Sequence, residues 1–250
     1  MDTKIFIVFH KPCDYGYWDN NNLYTPIQVG EAEQFLPVRD NEGDNIAEWN
    51  NLYAEMTAHY NVLKNRLDGL KYVGMCQYRR RLWFPEDFDF DKVFKDYYAI
   101  IPKPLDAGKH IGALYSLCHC QQDIEEFEKI VKELYPQYAE AWDRIINNGY
   151  FMIYSNSFVM RIEDFKEYEE FFFKVTDIWL KNHKIEKPSD ITAYVAAQIL
   201  NDQRNQTKGL KYQSQIFGFI GERLLTFWLF KDNKPLYTMD YTKFEGLDKI

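Results

Sequence analysis

Apolar and polar positions along the chain fall into runs whose spacing switches between contiguous blocks and steps of three or four. Lys4-Ile-Phe-Ile-Val-Phe9 is an unbroken block of β-formers, as in a strand buried on both faces of a helix-covered parallel sheet. Tyr72-Val-Gly-Met-Cys76 and Tyr97-Tyr-Ala-Ile-Ile101 repeat that pattern, the latter halted by Pro102 and Pro104, which cannot donate to a ladder. Between the first two blocks, Tyr53, Met56, Tyr60, Leu63 and Leu67 recur at three and four, which predicts one amphipathic helix over 50–66. Strand, helix, strand, strand in that order predicts an α/β fold with a βαβ unit.

The second half is helix-rich. Ile124, Phe127, Ile130, Val131 and Leu134 form one stripe over 121–135, and Pro136 sits in the first turn of a helix reaching about Asn147. Phe151-Met-Ile-Tyr154 and Phe158-Val-Met160 are short apolar runs separated by Ser155-Asn156-Ser157. Helices over 163–181, near 192–200 and over 215–230 follow, with a polar connector at 182–190. The stretch 12–45, rich in Asp, Asn, Gly and Tyr, has no sustained period and predicts long connecting structure around short extended pieces, the kind of loop that is often functional.

Composition narrows the function. With 250 residues, 46% hydrophobic and 18% aromatic, the chain can bury a sizeable core. Its net charge of -8 argues against nucleic acid as the main partner, since phosphate neutralisation needs clustered Lys and Arg. Cys13, Cys76, Cys118 and Cys120 are too few for a disulfide scaffold and read as reduced thiols. The start of the chain lacks the pattern of a signal peptide, and no apolar run approaches the roughly 18 to 20 residues that span a bilayer. The expectation is a cytoplasmic protein.

Candidate chemistry follows the strands. Tyr72–Cys76 empties into Gln77-Tyr-Arg-Arg-Arg81, and in open α/β sheets ligands sit at the carboxyl ends of strands, where arginine grips phosphate oxygens bidentately. A solvated turn with a structural ion pair is the plainer alternative. Asp44 and Asn45 precede the first long helix, either as an ordinary helix-start signal or as a grip on a nucleotide or sugar hydroxyl. Glu222-Arg223 is a charged pair inside an apolar run, either a structural ion pair or a carboxylate tuned for catalysis. Asp87-Phe-Asp-Phe-Asp91 has the spacing of a divalent-metal site on a diphosphate, although it precedes a helix rather than ending a strand. Mn2+ or Mg2+ is the cofactor that spacing admits; no residue is assigned as a metal ligand. Cys118-His119-Cys120 cannot converge on one ion from adjacent helical positions, and the remaining histidines, His10 among them, read as ordinary.

Gly43-Asp-Asn-Ile46, Leu52-Tyr-Ala-Glu-Met-Thr-Ala58, Tyr72-Val-Gly-Met-Cys-Gln-Tyr-Arg-Arg80, Asn156-Ser-Phe-Val-Met160 and Phe217-Gly-Phe-Ile-Gly-Glu-Arg-Leu-Leu225 together resemble a bacterial family long catalogued as a domain of unknown function. That family is linked to capsular, exopolysaccharide and O-antigen synthesis and includes galactosyl- and galactofuranosyltransferases. The resemblance implies a single GT-A-like α/β domain with a mostly parallel central sheet flanked by helices. Residues 1–105 would be its nucleotide-sugar half and 106–250 its helix-rich acceptor half. It implies a UDP-sugar donor, a saccharide acceptor on a lipid diphosphate, peripheral contact with the inner face of the cytoplasmic membrane, and a hexosyl transfer. On that basis Glu222 leads as general base with Glu55 second. Asp44, Asn45, Arg79, Arg80 and Arg223 hold the donor and its diphosphate, and Gln77, Tyr78 and Asn156 contact sugar. The chain departs from the family at Gln77, where relatives carry His, and at Ala54, where they carry Cys. Gln can hydrogen-bond but cannot carry a proton as imidazole does. A carbohydrate-binding protein that has lost catalysis, or a nucleotide-sugar hydrolase, are the competing classes.

Overall fold

The computed structural model describes residues 2–12, 22–201 and 209–243. In chain order the strands are β1 (Thr3–Phe9), β2 (Tyr24–Gln28), β3 (Tyr72–Gln77), β4 (Arg80–Leu82), β5 (Ala99–Pro102), β6 (Leu105–Asp106), β7 (Phe151–Met152), β8 (Phe158–Arg161), β9 (Leu236–Met239) and β10 (Tyr241–Lys243). The α-helices are α1 (Asn50–Tyr53), α2 (Met56–Asn65), α3 (Phe90–Asp96), α4 (Ile111–Cys118), α5 (Gln121–Leu134), α6 (Ala139–Trp142), α7 (Ile162–His183), α8 (Pro188–Asn201), α9 (Gly209–Gln213) and α10 (Ile216–Phe230).

The central sheet runs β2-β1-β3-β8-β5-β9, with β4 hairpinned onto the end of β3 and β10 beside β4. The pairs β1–β2, β1–β3 and β5–β9 are parallel, and the two longest registers are those β1 makes with β2 and β3; β8 enters antiparallel between β3 and β5. This is the mostly parallel sheet flanked by helices that the sequence led us to expect. The unbroken run in β1 has a simple cause, because Phe6 and Val8 join the core under the long helices while Ile5, Ile7 and Phe9 join the core beneath Phe84 and Phe94. Both faces are buried, so neither phase of the two-residue period is polar.

Two expectations need correction. The helix over 50–66 is two helices, since Ala54 has φ 49 and ends α1 before Glu55 opens α2. Hydrophobic spacing survives the interruption because both pieces pack on the same core, so periodicity cannot reveal it. The stretch 12–45 holds short extended pieces of the kind expected there, the strand β2 and a bridge between Gln28 and Arg39; Cys13 lies outside the described residues. β5 continues through Pro102, which is tolerated because pairing with β8 has already ended at Ile100. Cys76 and Cys118 are free thiols. Among the described residues no helix is long and apolar enough to cross a membrane.

Two features of the core can be tested directly. A Cβ on Gly74, in the middle of β3, would lie 2.9 Å from Val159 Cγ2 and 3.0 Å from the Phe158 carbonyl oxygen. Gly74→Ala is therefore expected to lower unfolding stability by about 1–3 kcal/mol in urea titrations. Asp123, at the start of α5, is buried and accepts hydrogen bonds from Tyr194, Gln198 and Tyr115; burial pushes its carboxyl up to about 6. Because that value is raised, the folded state binds the extra proton between the unfolded value near 4 and about 6. Stability therefore falls as pH rises through that window. Asp123→Asn is expected to flatten that segment of the stability–pH curve measured by denaturant unfolding.

Candidate functional site

Glu55 stands at the break between α1 and α2, and its Oε1 accepts two hydrogen bonds, from Gln77 Nε2 and from Asn156 Nδ2, each 2.8 Å. The sheet explains why both donors reach it. In the antiparallel pairing Met75 lies opposite Phe158, so the next residues outward on each strand bring Gln77 and Asn156 level with one another. Ser155 and Asn156, with φ 74 and 43, turn the chain sharply before β8. Asn156 is buried, and its Oδ1 has no hydrogen-bond partner among the described residues.

α10 closes the other side. A Cβ on Gly218 would come 2.7 Å from Ala54 Cβ, and one on Gly221 would come 3.1 Å from Asn156 Oδ1. The two glycines, three apart on one helical face, therefore let α10 lie against the break at Ala54 and the turn at Asn156. Glu222 follows at once: its Oε1 accepts the Ser155 backbone N–H at 2.7 Å and its Oε2 accepts Arg223 Nη1 at 2.9 Å. The Glu222 side chain keeps 18% of its surface open. Burial, and then the nearby Glu55 charge, raise its carboxyl above the usual range, against opposing pulls from Arg223, the Ser155 N–H and Arg80. Arg223 is buried, donates to the Phe219 carbonyl, and lies 5.3 Å above the Tyr115 ring.

Cations gather where β1 and β3 end. Arg79 and Arg80 are exposed, whereas Arg81 is buried and donates to the Tyr78 carbonyl. The three consecutive arginines are thus split between surface and scaffold. Tyr78 is buried, its ring stacked 5.3 Å from Phe9 and carrying the Arg79 guanidinium at 5.4 Å. The charge of Arg80 reaches both Glu222 and the half-buried Tyr154. His10, Lys11 and Lys211 add to the same side, since the charges of Arg79, Lys11, Glu55 and Lys211 all bear on His10. Sequence reasoning passed over His10, Lys11, Tyr154 and Lys211. The available signal was position, because His10 and Lys11 are the first residues beyond a buried strand.

The structure therefore brings together Glu55, Glu222, Gln77, Tyr78, Asn156, Arg79, Arg80 and Arg223. It does not bring Asp44 and Asn45 to them. Asp44 accepts from Tyr60 and its backbone is knitted to Asn65. Asn45 donates to the Asn41 and Gly43 carbonyls and accepts from Ala47 N–H. Asn65 ends α2, about 15 Å along the helix axis from Glu55 at the rise of an α-helix. Neither alternative read from the sequence is the one observed, since the helix that follows takes Ile46 as its N-cap without a side-chain bond, and Asp44 and Asn45 instead fasten their loop to itself and to α2. The Asp-x-Asp run is likewise scaffold. Asp89 caps α3 by accepting the Lys92 N–H, and Asp91 accepts from Tyr72 and pairs with Lys71. These carboxylates do not fit a metal on a diphosphate, and among the described residues no group of three or more His, Cys, Asp or Glu could hold an ion. His119 is packed on Phe219 and hydrogen-bonded to Gln213.

Comparison with known proteins bears on the fold. A structure of the bifunctional glycosyltransferase WbbM in its apo form superposes on the chain with a TM-score of 0.70 at 25% identity, covering 97% of this chain and 45% of that one. The chain thus spans less than half the length of that neighbour. No curated protein matches it. A family described as a domain of unknown function, DUF4422, matches residues 4–201, and the chain belongs to that family.

Proposed function

We propose that the chain is a glycosyltransferase that moves a sugar from a nucleoside-diphosphate donor to a hydroxyl of a saccharide acceptor. The observation that carries this reading is the placing of two carboxylates, Glu55 and Glu222, beside the cations at the carboxyl ends of β1 and β3. The likeness to WbbM supports the same reaction class. The finer assignment rests on the family resemblance. It makes the nucleotide UDP, the sugar galactose or galactofuranose, and the acceptor a lipid-diphosphate-linked glycan of capsular, exopolysaccharide or O-antigen synthesis at the inner membrane face.

The two acids have different work. Both oxygens of Glu222 are engaged, by Ser155 and Arg223, so it holds the turn that presents Asn156. Glu55 has Oε1 fixed by two donors, and Oε2 accepts no hydrogen bond among the described residues. Glu55 Oε2 takes the acceptor proton as the hydroxyl oxygen bonds to the anomeric carbon. The bond from that carbon to the diphosphate breaks, and the departing charge rests on Arg79 and Arg80. This reverses the order expected from sequence, where Glu222 led. Gln77 holds Glu55 through an uncharged amide, so the substitution of His by Gln keeps the orienting contact without adding a second titrating group. Arg223 and Tyr78 position rather than touch substrate.

UDP release from UDP-galactose with and without a glycan acceptor tests the reading. Acceptor-dependent release is expected; release of free sugar without acceptor would mark a hydrolase, and binding without release a lectin-like module. Glu55→Gln is expected to lower kcat by roughly 100- to 10,000-fold, as loss of a general base does, with UDP affinity kept; unchanged turnover would remove Glu55 from the role. Replacing both Arg79 and Arg80 by Ala should weaken UDP binding by about tenfold or more, as loss of charge-assisted hydrogen bonds does, with the effect shrinking at high salt. Equal affinity in fluorescence or calorimetric titrations would rule out the clamp.

A further inference from the structure

β1 and β3 run parallel with Val8 opposite Gln77, and the Tyr78 amide donates to the Val8 carbonyl at 3.1 Å, extending the ladder past both strands. His10 and Arg79 therefore leave neighbouring strands at the same level, roughly one inter-strand spacing of 5 Å apart in backbone. Tyr78 lies between them, its ring meeting the His10 ring edge-on at 5.2 Å and carrying the Arg79 guanidinium. Imidazole and guanidinium thus share one aromatic platform at the carboxyl edge of the sheet, where an open α/β fold receives its ligand. Lys11 follows on the same strand exit, Lys211 arrives from α9, and Glu55 is the carboxylate whose charge reaches the ring. His10 keeps exposed surface, yet enough chain surrounds it for partial desolvation to count. That desolvation, then Arg79 and Lys11, hold its imidazole below the usual histidine range, with Lys211 adding to them and Glu55 opposing. Near neutral pH the empty site therefore contains an uncharged ring among three cations.

We infer that His10 is a diphosphate-positioning residue that takes up a proton when the anionic donor enters, coupling donor binding to proton uptake from solvent. The inference rests on the nucleoside-diphosphate reading above. Its cause is electrostatic: the cations that disfavour an imidazolium in the empty site are those a diphosphate neutralises. The ligand also supplies oxygens that accept from the charged ring. The neutral ring spares the donor site a further positive charge. Reciprocity fixes the sign, so donor affinity rises as pH falls through the window between the free and bound values of the ring and levels off on either side.

The test is calorimetry of UDP binding to the full chain near pH 6.5 in buffers of differing ionisation enthalpy, with wild type compared against His10→Gln. UDP has its own titrating phosphate, so the difference between the two proteins isolates the histidine. The wild type should take up a measurable fraction of a proton more per UDP than the variant, because the ring is held below the usual histidine range without the donor and gains acceptor oxygens with it. The variant should still bind, with an affinity less dependent on pH. Equal proton counts with intact UDP binding would overturn the role of His10 and leave the donor reading standing. Absence of UDP binding by the wild type would bring down both. If His10→Gln fails to fold, the His10 imidazole resonance of the wild type, titrated with and without UDP, decides the matter; a midpoint that does not move upward with UDP overturns the inference.

Discussion

Everything at the candidate site depends on how a carboxylate can stand at the end of a buried sheet. Glu55 does so because Gln77 and Asn156 each aim an amide N–H at the same oxygen. The donors come from two strands that only their antiparallel register makes neighbours. A polar group placed there without partners would cost on the order of a few kcal/mol. With them, the acid is oriented and its second oxygen left open for chemistry. The contact ties three distant stretches of chain into one object, and each of the other site residues takes its place from that junction.

The junction is held in a strained backbone. Ala54, Ser155 and Asn156 are three of the five non-glycine residues with positive φ among those described, and all three border Glu55 or its donors. Such conformations cost about 1–3 kcal/mol each and persist only where surrounding packing enforces them. Here α10 does the enforcing. Gly218 and Gly221 remove the side chains that would hold the helix away, and the Glu222 carboxylate caps the Ser155 amide. Arg223 fixes that carboxylate from below, itself lying over Tyr115, whose hydroxyl donates to Asp123. An apolar helix with one charged pair is thus explained by the turn it must support.

Charge is divided across the site. Acids sit on the helical side, at Glu55 and Glu222, while cations and His10 sit where β1 and β3 end. Arg80 bears on Glu222, and Glu55 bears on His10, so the two sets sense one another. A donor with an anionic diphosphate and a reacting carbon fits that polarity in one orientation, with phosphates toward the arginines and the sugar toward the acids.

Much of this was legible in the residues themselves. The both-faces-buried strands at Ile5–Phe9 and Tyr72–Cys76 were readable because a contiguous apolar run has few other uses in a polar chain. The arginines after β3 followed from a strand end and the Glu222–Arg223 pair from charge misplaced in an apolar run, whereas Asn156 came from the family resemblance. The break at Ala54 was not readable, because both halves of the helix keep the same buried stripe. Nor was the fate of Asp44, Asn45, Asp89 and Asp91, whose side chains are taken by a tyrosine on α2, by the loop backbone, by the start of α3 and by a nearby lysine. A carboxylate that caps a helix and one that grips a ligand are the same residue in a sequence. By itself the sequence determined the strands, the helices and which polar residues lie near strand ends, since those depend on neighbours along the chain. Only the tertiary structure decided that Glu55, Gln77, Asn156, Glu222 and His10 share one site, because strand register and the close approach of α10 set distances between residues far apart in the chain.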